Sequence, residues 1–152
     1  MKIDAWLNEL KIPREAYRMV MLLPLVYVAW ADGRMHAAER KLILQIAQDR
    51  GLLANGGREV LEYWLADPPT KAQLKTNLAI MNELCRSSDR LSDEFDADAE
   101  QLLLAWCQDV ADAAGGLLGL VPARREPEEA ALKLIADALE IRRAKNWRAM
   151  FA

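Results

Sequence analysis

The residues whose types and spacing could do chemistry sit where an apolar run breaks. In VYVAWADGRMHAAERKLIL (26–44) the run stops at Asp32-Gly33, and an apolar pattern restarts around Glu39, with the only histidine, His36, between them. Two carboxylates around an imidazole can ligate a cation, move protons, or punctuate two helices. Punctuation accounts for much of the pattern. Asp-Gly is a turn signal, and a Glu at the third position of a helix receives free N-terminal amides. His36 then reads as an exposed cap. Cation ligation demands more, because Ca²⁺ or Mg²⁺ takes several oxygen ligands and one loop holding Asp32 and Glu39 is too few.

A second acidic stretch, SSDRLSDEFDADAE, occupies 87–100. With Asp89 as position 1 of an EF-hand loop, Asp93 and Glu100 fall at the required positions 5 and 12. Leu91 then stands at 3 and Glu94 replaces the glycine at 6, so the stretch is not an ordinary EF-hand. Laid on Asp32 with a shift of 57, Asp89 becomes its counterpart. Glu39 then matches Asp96 without a gap, or Glu100 with a four-residue insertion.

Other chemistries find no support. No serine has a histidine and an acid at a recognisable spacing, and there is no glycine loop for phosphate, so no enzyme is expected. Cys85 and Cys107 form no C-x-x-C pair and read as two buried thiols in a reducing compartment. Basic and acidic residues, 20 and 23, are mixed along the chain for a net charge of -3. Such a balance offers no basic field for nucleic acid.

The elements that must position these groups are helical. In 152 residues, 53% hydrophobic and rich in strong helix formers, nothing alternates at period two over a useful length. Six or seven helices are expected: Asp4 to Leu10, with Asp4 as cap; Arg14 to Ala31, apolar all round from Met19 to Trp30 and bent at Pro24; Ala37 to Arg50; Arg58 to Ala66; Lys71 to Arg86, capped by Thr70; Asp98 to Ala114; and Glu128 to Arg143 or beyond. This makes one all-α domain over 1–152, with hairpins at about 14–51 and 71–114 and a C-terminal helix at about 127–152.

The segment AWADGRMHAAERKLILQIAQDRGL resembles the TerB-like family, named from tellurite-resistance proteins and including the N-terminal part of a DnaJ-like co-chaperone. The sharp part of the likeness spans about 30 residues, and SSDRLSDE with the helix after it resembles the second, degenerate copy found in such proteins. The resemblance implies an all-helical bundle of two pseudo-equivalent hairpins, non-catalytic, linked to stress response or tellurite resistance. It also implies a divalent cation held by acidic residues where the loops meet: Asp32 and Glu39 from the first, Asp89 with Glu100 or Asp96 from the second. Arg90 stands where a glycine would follow Asp89, and His36 replaces a small capping residue.

The tail EIRRAKNWRAMFA offers a second reading. Arg142, Arg143, Lys145 and Arg148 beside Trp147, Met150 and Phe151 suit a metal-free adaptor docking on a protein partner or, peripherally, on an anionic membrane. Alternatively, Trp147 and Phe151 pack a closing helix onto the bundle. The first residues show no signal peptide, and the longest apolar run, Met19 to Ala31, falls short of the roughly 20 residues that span a bilayer. A cytoplasmic protein is expected.

Overall fold

The computed structural model describes residues 2–86, 97–115, 127 and 129–137. It is an all-α bundle: α1 (Lys2–Glu9), a 3-10 helix (Arg14–Met21), α2 (Leu23–Ala29), α3 (Ala37–Asp49), α4 (Gly57–Ala66), α5 (Lys71–Arg86), α6 (Ala97–Gly115) and α7 (129–137). Among the described residues there is no strand, and no helix is long and apolar enough to cross a membrane. The connection 87–96, with Asp89 and Asp96, and the basic aromatic tail lie outside the described residues.

The expected count of six or seven becomes eight among the described residues because the second helix is two. Pro24 does not bend a continuous helix; it stands in the first turn of α2, where its missing N–H breaks no bond within that helix. The preceding segment winds in 3-10 fashion with a kink at Ala16 (φ -105°, ψ 25°), flanked by i to i−3 bonds from the Ala16 N–H to the Pro13 carbonyl and from the Leu22 N–H to the Met19 carbonyl, both 2.9 Å. The first helix also starts earlier than expected. Asp4 is therefore not its cap but a first-turn residue, 3.7 Å from the Arg14 Nε.

Burial follows the apolar run. Met19 to Val26, Val28 and Ala29 are all buried, and α2 is the central helix, touching the 3-10 helix, α3, α4, α5 and α6. From α6, Leu103, Cys107, Val110 and Ala111 form one buried stripe at helical spacing, and α6 packs on both α2 and α3. The helix that carries Glu100 thus lies against the two helices that flank the Asp32 loop.

Helix ends are fixed by local chemistry. Thr70 and Gln73 form a reciprocal box at the start of α5: the Gln73 N–H donates to Thr70 Oγ1 (3.1 Å) and the Thr70 N–H to Gln73 Oε1 (2.8 Å). At the end of α3, Gly51 (φ 66°) takes the left-handed turn, and the Leu52 N–H returns to the Ala47 carbonyl at 2.9 Å.

Candidate functional site

The loop between α2 and α3 is pinned from both sides. Trp30, the C-cap of α2, donates its indole Nε1–H to the Trp64 carbonyl of α4 at 3.0 Å, and Ala31 and Met35 pack against the core. Gly33, at φ 87°, reverses the chain, its N–H bonded to the Trp30 carbonyl at 2.8 Å. The turn brings Asp32 and His36 together.

Both oxygens of Asp32 are engaged. Oδ1 accepts the Arg34 N–H at 3.1 Å, and Oδ2 lies 2.9 Å from His36 Nε2. An ionised carboxylate can only accept, so Nε2 carries the hydrogen in this pair. His36 has the extended backbone of an N-cap (φ -76°, ψ 148°), and its N–H donates to Glu39 Oε1 at 3.0 Å. The two carboxylates therefore converge on one residue, Asp32 on its ring and Glu39 on its amide. The expectation of an exposed His36 is corrected: its side chain is 22% exposed, held down by the Asp32 carboxylate.

Glu39 is 0% exposed. Its position one helical step before Ile43 places it on the inward stripe, as its spacing implies. Removing a carboxylate from water costs several kcal/mol unless hydrogen bonds or positive charge offset it, and the His36 amide supplies one such bond. A helix start alone does not require that burial.

Asp32 and Glu39 suit a hard cation in donor type, since both are carboxylates. They fall short in number. Among the described residues no group of three or more His, Cys, Asp or Glu side chains forms a ligand set. Further oxygens would come from the second acidic stretch: Glu100 stands in the first turn of α6 with its side chain outside the described set, and Asp89 and Asp96 lie outside it altogether.

Beside the loop, a groove of about 440 Å³ is lined by Tyr27, Trp30, Ala31, Pro68, Pro69 and Leu134 among others. These walls are largely apolar, with Lys71 as the charged residue among them. At the opposite end of α3, the Arg50 guanidinium stacks 5.2 Å from the Trp106 ring of α6. Cys107 is buried on the same helix, and desolvation pushes its thiol far above the ordinary 9.0, keeping it protonated and inert.

Two features escape the sequence reading. The Trp30 to Trp64 bond joins residues 34 apart, and its local signal is Pro68, four residues after Trp64, which cannot supply that carbonyl with a helical amide. Asn77, 0% exposed on α5, donates Nδ2–H to the Val20 carbonyl at 2.8 Å. A signal for that one exists too: Pro24, four residues after Val20, cannot supply the amide an α-helix would offer there. No family model matches the chain, and comparison with curated proteins and with solved structures gives no match.

Proposed function

We propose that this chain is a non-catalytic helical binding module of the TerB-like kind that holds a divalent cation, Ca²⁺ or Mg²⁺, between its two acidic connections. Asp32 and Glu39 supply the first half of the site; Asp89, with Glu100 or Asp96, supplies the second. The module works in the cytoplasm, in stress or tellurite resistance, through a protein partner. The observation that carries the reading is the fully buried carboxylate of Glu39 beside an ordered Asp32. Support also comes from α6, whose first turn includes Glu100 and which packs on the two helices flanking that loop. A cation would offset the charge of buried and clustered carboxylates and tie the hairpins together.

Calorimetric titration of the metal-stripped chain with Ca²⁺, Mg²⁺, Mn²⁺ and Zn²⁺, paired with thermal melting, tests this. Binding of Ca²⁺ or Mg²⁺ with a raised Tm is expected, lost in Asp32→Asn/Asp89→Asn. A Tm that no ion raises, or a rise that survives the double substitution, overturns it. Comparing Glu100→Gln with Asp96→Asn identifies the fourth carboxylate.

A further inference from the structure

The break between the 3-10 helix and α2 is held by a side chain from another helix. In a continuous α-helix the Val20 carbonyl would accept the N–H of residue 24, and Pro24 has none. The carbonyl lies in the core, Val20 being 0% exposed, so water is not at hand to replace that donor. Asn77 reaches across from α5 and supplies it, Nδ2 to the Val20 oxygen at 2.8 Å.

The other end of the same amide argues that donation is its purpose. Asn77 Oδ1 is buried and accepts no hydrogen bond among the described residues, while Nδ2 also faces the Met81 sulfur at 3.8 Å. An apolar residue here would avoid burying an unsatisfied oxygen. Its neighbours on the α5 stripe, Leu74, Leu78, Ile80 and Met81, are apolar and buried. Among the described residues, the buried polar position of that stripe faces a core carbonyl that a proline deprives of its helical donor.

We propose that Asn77 is the stand-in donor for Pro24: its amide replaces the N–H that the Val20 carbonyl loses to the proline and so holds the junction between the 3-10 segment and α2. The segment it holds is kinked at Ala16 (φ -105°, ψ 25°) and runs into α2 at Leu23. Because α2 leads directly into Asp32, the break sets the register at which that loop meets α3 and α6.

A double-substitution cycle tests the coupling. Asn77→Leu should lower the folding equilibrium constant by about 30-fold in the Pro24 chain, measured by urea unfolding. In a Pro24→Ala background, where residue 24 regains its N–H, the same change should cost about tenfold less. Hydrogen exchange supplies the structural readout. In Pro24→Ala/Asn77→Leu the amide regained at position 24 should be protected, as an interior helical amide is. Equal costs of Asn77→Leu in both backgrounds, or free exchange of that regained amide, overturn the proposal. If Asn77→Leu alone does not fold, the double variant decides: folding supports the coupling, and failure to fold overturns it.

Discussion

Two helices of this bundle begin with the same device in different settings. At α5, Thr70 and Gln73 exchange hydrogen bonds through neutral groups at an exposed position. At α3, Glu39 takes the place of Gln73 and accepts the His36 amide, but it is ionisable and 0% exposed, and Asp32 is drawn onto the same histidine. Since the neutral exposed box starts a helix of 16 residues, capping does not call for a buried carboxylate. The difference at α3 is what a cation site would use.

The largest test of this comparison removes the two third-position side chains in turn. Glu39→Ala should cost about 2–4 kcal/mol by urea unfolding, for the cavity and the orphaned amide together. Gln73→Ala should cost about 0.5–1 kcal/mol, as an exposed cap does. Glu39→Gln is the sharper variant, because it keeps an acceptor for the His36 amide and removes only the charge. In metal-free buffer it should match or exceed the native stability while losing the response to Ca²⁺ or Mg²⁺. A loss comparable to that of Glu39→Ala would return Glu39 to a purely structural role.

Alkaline pH should affect both boxes alike, because its effect arises elsewhere. Cys107 is pushed above 9.0 by burial, so above that pH the unfolded chain loses a proton that the folded chain keeps. Stability contributed by the thiol is complete below about pH 9 and falls above it by about 1.4 kcal/mol per pH unit. Unfolding from pH 8 to 10 should show this fall equally in Glu39→Gln and Gln73→Ala, and Cys107→Ala should flatten it. Ion titrations that compare the caps therefore belong below pH 9.

Breaking the Asp32 to His36 contact is a smaller step. Asp32→Asn keeps an acceptor for the Arg34 amide but removes the charge facing the imidazole, and should cost about 1 kcal/mol at pH 6. His36→Ala should cost a similar amount, and the pair should be non-additive, since either change alone removes the contact. Full additivity would mean that the 2.9 Å approach does not order the loop.

How much of this could be read from residues depends on whether the cause is local. The Thr70/Gln73 box, the Gly51 stop and the inward step of Glu39 each lie within five residues of their effect, so the starts and stops of α3 and α5 and the burial of Glu39 are legible. The exposure expected of His36 fails because, although the turn at Gly33 is signalled, the pairing of the imidazole with the Asp32 carboxylate across it is not. The all-apolar run around α2 correctly signals burial, yet it hides its own break: with every face apolar there is no periodicity to expose a change from 3-10 to α winding. Asn77 reads as a polar interruption of a stripe until its partner, 57 residues away, is known.

The smallest predicted effect is the most selective. Gln73→Glu converts the exposed box into the acidic chemistry of the α3 box without its burial or its neighbours. A carboxylate in the first turn of α5 should gain about 0.3–0.5 kcal/mol from the helix dipole, read as a small rise in the urea midpoint that fades with added salt. It should leave the calorimetric response to Ca²⁺ or Mg²⁺ unchanged. If this exposed glutamate conferred a new ion response, a capping carboxylate alone would suffice, and the burial of Glu39 beside Asp32 would lose its claim to mark the site. If the helix is stabilised and the ion response does not move, what separates the two starts is the enclosure of the charge.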